Sequence, residues 1–161
     1  MTKRAPENNS HITIRKKAAY EPPPMDLLLL ADPSDQNILT YLHAGEIYVA
    51  VNEEEIMGVY VLCEITPTKV EIMNVAVAEN HQGKGIGKAL IQHAIQTAKN
   101  EGMTCIELGT GNSSIQQLAL YQKCGFRMSE VIHNHFVEHY EEPIFENGIQ
   151  CRDMVRLKLD L

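Results

Sequence analysis

The stretch Val75-Ala76-Val77-Ala78-Glu79-Asn80-His81-Gln82-Gly83-Lys84-Gly85-Ile86-Gly87-Lys88 carries the most specific signal in this chain. It leaves an apolar, strand-like run, makes a polar turn and enters a helical pattern through three glycines. Glycine lets backbone approach a ligand closely, and the first N–H groups of a helix have no internal partner. Such a turn can hold a phosphate at the positive end of a helix dipole. Glycines also make plain tight connections, so the flanking chain must decide.

Two other phosphate loops are excluded by spacing. The Walker pattern fails because Ala89 follows Lys88 and the glycines stand too close; the dinucleotide fingerprint fails because Lys88 occupies its third glycine position.

Downstream of the turn, Ile86, Leu90, Ile91, Ala94, Ile95 and Ala98 form one apolar stripe, with Lys88, Gln92, Gln96 and Lys99 opposite. That period predicts an amphipathic helix, ended by Gly102. Upstream, Glu46 to Val51, Ile56 to Ile65 and Lys69 to Ala78 read as three strands. Their short connections predict an antiparallel meander.

Farther out, His11 to Lys17 reads as a first strand stopped by Pro22-Pro23-Pro24. Met25 to Ala31 and Ser34 to His43 read as two short helices parted by Asp32-Pro33. After the central helix come a strand (Met103 to Leu108), a helix (Ser114 to Lys123) with a Ser114-x-x-Gln117 capping box, and a strand (Gly125 to Ile132). An acidic loop and a last strand, Arg152 to Leu159, finish the chain.

The 161 residues, 44% hydrophobic and 22% charged, suit one domain spanning 1–161 with a sufficient core. The first ten residues are polar and lack a signal core, and runs such as Leu27 to Ala31 fall far short of the roughly 20 residues that span a bilayer. The expectation is a soluble, cytoplasmic protein that does not engage membrane. Cys63, Cys105, Cys124 and Cys151 form no C-x-x-C pair and read as free thiols. A net charge of -7 argues against nucleic acid as a partner. It still permits an anionic cofactor held by backbone amides.

Gln82-Gly83-Lys84-Gly85-Ile86-Gly87 resembles the Q/R-x-x-G-x-G/A loop of the GNAT superfamily of N-acetyltransferases. The resemblance extends to Asn74-Val75-Ala76-Val77 and to Leu120-Tyr121-Gln122-Lys123-Cys124-Gly125-Phe126, and covers residues 46 to 130 best. It implies an α/β fold: a central mixed, mostly antiparallel sheet of about seven strands flanked by about four helices. It also implies acetyl-CoA as the acyl donor, with no metal. In this family the loop amides hold the coenzyme A pyrophosphate, a role that falls here on Gln82, Gly83, Lys84, Gly85, Ile86, Gly87 and Lys88. Val75, Ala76 and Val77 match the strand whose backbone pairs with the pantetheine arm, as an added strand would. The family's cofactor-contacting asparagine position falls on Ser114, with Asn112 two residues earlier. Helix capping explains Ser114 equally well.

Acetyl transfer to an amine requires a neutral nucleophile, oxyanion stabilisation and a proton for the departing thiolate. Tyr121 matches the family tyrosine that protonates the coenzyme A sulfur; it also reads as a core residue with a satisfied hydroxyl. Glu71 matches the strand glutamate that serves some members as general base, or it is an exposed strand carboxylate. The backbone N–H of Val75 is the candidate oxyanion donor.

His133, His135 and His139 read as part of a solvated loop, since no cysteine accompanies them. Glu138, Glu141, Glu142 and Glu146 read either as a solvated face or as a wall that attracts a cationic amine. The leading expectation is an acetyl-CoA-dependent N-acetyltransferase acting on a small or peptidyl primary amine in a ternary complex. The alternative is a non-catalytic acyl-CoA-binding module. Apolar alternation at Met154, Leu157 and Leu159 allows a homodimer through C-terminal strand pairing.

Overall fold

The computed structural model describes residues 11–161; the reading of residues 1–10 as a polar segment without a signal core lies outside them. In chain order the elements are β1 (Thr13–Lys16), α1 (Met25–Ala31), α2 (Asp35–Leu42), β2 (Gly45–Asn52), β3 (Glu55–Thr66), β4 (Lys69–Val77), α3 (Ile86–Asn100), β5 (Cys105–Gly111), α4 (Ile115–Lys123), β6 (Arg127–Ile132), α5 (His135–His139), β7 (Ile144–Glu146), β8 (Ile149–Cys151) and β9 (Met154–Asp160). Seven strands make one sheet in the order β1-β2-β3-β4-β5-β9-β6, and β7 pairs with β8 alone. The expected meander β2-β3-β4 is antiparallel. Only β4 and β5 run parallel, because α3 carries the chain back across the sheet between them.

Each sheet face is covered by the helices whose apolar stripes demand it. Leu90, Ile91, Ala94 and Ala98 of α3 pack with Ile72, Ile106 and Leu157 on one face. Leu28, Ile38 and Tyr41 of α1 and α2 pack with Val49, Val59 and Val61 on the other. The antiparallel-rich α/β architecture is the one expected, with a short fifth helix, α5, added.

Two irregularities prepare the site. The β3–β4 register shifts between Val61 and Leu62, so that Val61 faces Asn74 and Leu62 faces Ile72. Met73 is therefore the extra residue of a bulge, which reverses the side-chain phase. Before it Val70 and Ile72 face the α3 core; after it Val75 and Val77 do, while Ala76 joins the opposite core. The second irregularity is a parting of strands: β4 pairs with β5 only from Lys69↔Cys105 to Ile72↔Leu108. Beyond that point the β5 side of β4 has no strand partner among the described residues.

Three expectations need correction. The acidic segment after β6 is built, carrying α5 and the β7–β8 hairpin. The capping box is absent: Ser114 makes no side-chain cap on α4, because its hydroxyl donates instead to Glu146 Oε1 at 3.0 Å. The last strand offers no free edge to a second copy, because β9 is flanked by β5 and β6; Leu157 lies in the core. No helix among the described residues is long and apolar enough to cross a membrane.

Gly58 of β3, opposite Val77, sets how closely α3 approaches the sheet. A Cβ there would lie 2.9 Å from Leu90 Cδ1, 3.2 Å from Ala76 O and 3.3 Å from Ile86 Cγ2. Gly58→Ala is expected to cost about 1–3 kcal/mol through overpacking, read as a lower urea midpoint at unchanged m value.

Candidate active site

The first turn of α3 forms one end of the candidate site. Gly83 and Gly85 adopt φ of +77° and +83°, a conformation that costs other residues strain. Gln82 extends backward and donates through Nε2 to Val77 O at 3.1 Å, tying the turn to the end of β4. The first α3 bond runs from Ala89 N–H to Gly85 O. The N–H groups of Ile86, Gly87 and Lys88 therefore have no acceptor within the helix.

These amides open onto a groove of 610 Å³ walled by Val75 to Val77, Gln82, Gly83, Gly85 to Lys88, and the α4 residues Gln116, Gln117 and Leu120. Gly87 brings α3 against α4: a Cβ there would touch Leu120 Cδ2 at 3.6 Å. Of the expected loop residues, only Lys84 is absent from the wall. One rim of the groove is the unpartnered β4 edge.

A second cavity, of 420 Å³, adjoins it and shares Leu30, Ala31, Val75 and Gln117. Its wall holds three carboxylates, Asp32, Glu71 and Glu146, and one guanidinium, Arg156. Arg156 stands opposite Gly109 across β5 and β9. A Cβ at Gly109 would lie 3.0 Å from Arg156 Nη1, so the glycine lets this side chain cross β5 to reach β4. There Arg156 Nη2 donates to Glu71 Oε1 and, at 3.3 Å, to Glu107 Oε2. Burial disfavours the Arg156 cation, but Glu71 and Glu107 outweigh it and raise its pKa further.

Asp32, only 8% exposed, organises the opposite wall. It accepts from the Tyr140 hydroxyl at 2.9 Å, from Asn37 Nδ2 at 2.9 Å and from Ser34 N–H at 3.1 Å. Tyr41 completes the set at 3.4 Å and accepts from Asn74 Nδ2 at 2.9 Å. Burial, first of all, pushes the Tyr41 and Tyr140 hydroxyls well above their ordinary range, so both remain donors. Tyr140 thereby joins the post-β6 segment to the α1–α2 turn.

Glu71 does face a cavity, but its carboxylate is held by Arg156. Tyr121 is buried in the α3-side core with Phe126 and borders neither cavity. Its hydroxyl has no hydrogen-bond partner among the described residues, yet it is not among the sealed side-chain oxygens, Asn74 Oδ1 and Ser113 Oγ. Burial raises its pKa and keeps the phenol protonated.

Asn112 lines neither cavity. Its Nδ2 donates to Gln150 O at 3.1 Å, and its Oδ1 accepts from Arg152 N–H at 2.8 Å and Asp153 N–H at 3.0 Å. Both Oδ1 lone pairs and one Nδ2 hydrogen are thus taken up around the β8–β9 connection, which leaves a single N–H of this amide uncommitted. Ser114 lies in the second cavity rather than the groove.

The histidines and acidic loop divide. His133 and His139 are exposed, whereas His135, Phe136, Tyr140, Ile144 and Glu146 line the second cavity. Glu138, Glu141 and Glu142 face solvent. Sequence reasoning missed His135 and Asp32 as cavity residues; the signal for His135 was its place beside the apolar Phe136-Val137 pair.

This arrangement has counterparts. Residues 11–126 match the model of the acetyltransferase (GNAT) family. The uncharacterized N-acetyltransferase YvbK of Bacillus subtilis (strain 168) is 60% identical over 136 residues, covering 84% of this chain and 88% of that protein. A GNAT family acetyltransferase from Elizabethkingia anophelis, solved with acetyl-CoA bound, is 49% identical with a TM-score of 0.92 over 94% of this chain and 99% of its own. A Bacillus subtilis acetyltransferase solved with CoA is 55% identical, with a TM-score of 0.88 over 93% and 99%. The chain belongs to the GNAT acetyltransferase family and is an N-acetyltransferase.

Removing one partner of a largely buried ion pair strands the other charge. Arg156→Met is expected to cost about 3 kcal/mol of stability. Combining it with Glu71→Gln should cost less than the sum of the single variants, by about 1–3 kcal/mol in a denaturation cycle.

Proposed function

We propose that the protein transfers the acetyl group of acetyl-CoA directly to a primary amine while both are bound, the acceptor being a small or peptidyl amine carrying positive charge. The observation that carries this reading is the pair of cavities meeting at Val75. One leads to the amides of α3, the other to a wall of three carboxylates and one guanidinium. A pyrophosphate suits the first; an ammonium suits the second.

The relatives solved with acetyl-CoA or CoA bound support the same donor here. The pyrophosphate would lie against Gln82, Gly83, Gly85, Ile86, Gly87 and Lys88, with Lys84 at the outer edge of the turn. The pantetheine arm would take the unpartnered edge of Val75, Ala76 and Val77, adding an amide chain where β5 has parted. The thioester then sits at the junction, its carbonyl oxygen within reach of β4 backbone N–H groups such as that of Val75.

The amine lone pair attacks the carbonyl carbon, the carbon–sulfur bond breaks and the thiolate leaves. Tyr121 is the proposed proton donor to that sulfur: it borders neither cavity, so it would act from behind the groove wall through a hydroxyl that is not sealed and that burial keeps protonated. Glu71, neutralised by Arg156, serves in this reading to orient the ammonium more than to accept its proton.

Direct transfer is favoured over an acetyl-enzyme. Cys151 is the one cysteine in the second cavity's wall, and burial pushes its thiol up, away from the reactive thiolate.

Thiol release from acetyl-CoA, followed with benzylamine, 1,4-diaminobutane and a dipeptide amide, tests the acceptor class. Turnover is expected, fastest with the diamine; silence with every amine would sink this reading. Tyr121→Phe should lower kcat about 100-fold with the acetyl-CoA Kd unchanged by calorimetry. Gly85→Ala should do the reverse, weakening acetyl-CoA about tenfold by straining a positive-φ position.

A further inference from the structure

Acetyl transfer to an amine that binds as its ammonium requires a group that removes its first proton, and the carboxylate expected for that task is engaged. Glu71 Oε1 accepts from Arg156, so protonating Glu71 would disrupt an ion pair whose side chains are only 15% and 17% exposed. Asp32 is committed to Tyr140, Asn37, Ser34 and Tyr41. Glu146 accepts from Ser114. Each cavity carboxylate already has a donor.

His135 differs from all of them. It opens α5 and lies in the cavity wall with Glu71 and Arg156. Neither of its ring nitrogens has a hydrogen-bond partner among the described residues. The ring is nonetheless held in place, stacked on His139 with centroids 4.3 Å apart and set edge-on to Phe136 at 5.1 Å. α5 itself is pinned by Phe136 N–H donating to Arg152 O at 3.0 Å. An ordered imidazole with a vacant acceptor, inside an acceptor cavity, is the arrangement a general base requires.

We infer that His135 is the general base of the reaction, taking the proton of the acceptor ammonium before the amine attacks. This rests on the amine-acceptor reading above. The proton balance closes. The ammonium gives one proton to His135; the free amine attacks the thioester, and the tetrahedral adduct collapses. The proton still carried by the new amide nitrogen leaves with coenzyme A as the thiol, delivered through Tyr121. The imidazolium then releases its proton to solvent, giving amide, free thiol and one proton.

The groups around the ring agree with that role. Burial lowers the His135 pKa from its ordinary value, aided by His139 on α5 and Arg156 on β9, while Glu138 opposes them. Glu71, Asp32 and Glu146 complete the charged set across the cavity. The neutral imidazole therefore predominates at pH 7. Activity should rise with pH through a midpoint below 6.5 and level off above it.

The test is the pH profile of kcat/KM for wild type, His135→Gln and Glu71→Gln, using the fastest amine among benzylamine, 1,4-diaminobutane and the dipeptide amide. Wild type and Glu71→Gln should share an acid limb. His135→Gln should lose about 100-fold at pH 7 and regain activity about tenfold per pH unit toward the free amine's own pKa. Its acetyl-CoA Kd should match wild type by calorimetry, which shows that the fold and donor groove persist. An unchanged limb in His135→Gln, with a rate within about threefold of wild type, would overturn the inference. Should His135→Gln fail to bind acetyl-CoA, the ring proton signals of His135 in wild type decide: a titration midpoint matching the kinetic limb supports the role, and a mismatch overturns it. A wild-type protein that binds acetyl-CoA but turns over no amine removes the acceptor reading itself, a result distinct from an active His135→Gln.

Discussion

The parting of β4 from β5 after the Ile72↔Leu108 pair is the constraint on which the rest of this structure depends. A strand that loses its neighbour in mid-sheet exposes backbone donors and acceptors that need partners. Here the loss coincides with the bulge at Met73 and with Gly109 on the facing strand. Beyond the parting, one side opens toward the amides of α3 and the other toward Glu71 and Arg156. Had β4 and β5 stayed paired to their ends, neither cavity would reach Val75. The proposed reacting centre thus lies where secondary structure is left incomplete.

Around that opening, charge is sorted by different means on its two sides. The donor side draws its positive character from backbone, in the unsatisfied N–H groups at the start of a 15-residue helix. That would let a chain with a net charge of -7 hold a strongly anionic cofactor. The acceptor side draws its negative character from side chains on separate elements, each held by a hydrogen-bond donor. Tyr140 couples the segment after β6 to Asp32 at the α1–α2 turn, so distant stretches of sequence build one wall together.

How much of this was legible in the sequence follows from how local each feature is. The α3 stripe, the meander and the glycine turn are written in neighbouring residues, and their positions agree with the expected ones to within a residue or two. Gln82 to Gly87 could be read because its glycines serve backbone geometry, which leaves a fixed spacing. The bulge at Met73 left only a weak mark, a polar Asn74 inside an apolar strand. The Glu71–Arg156 contact joins residues 85 positions apart and depends on Gly109 between them, so no local pattern carries it. Asn112 is hard to read for a related reason: its place two residues before Ser114 did not reveal that the β8–β9 connection would engage most of its amide. The post-β6 segment was hardest, since an acidic stretch with scattered aromatics resembles solvated loop until Phe136 and Tyr140 are seen turned inward.

The central claim is that donor and acceptor occupy adjoining cavities and react directly at the β4 edge. Initial velocities measured over a grid of acetyl-CoA and amine concentrations test it most directly. A ternary complex predicts double-reciprocal lines that intersect, with no acetylated protein detectable by mass spectrometry when amine is withheld. Parallel lines, together with a stoichiometric acetyl adduct on Cys151, would contradict the account.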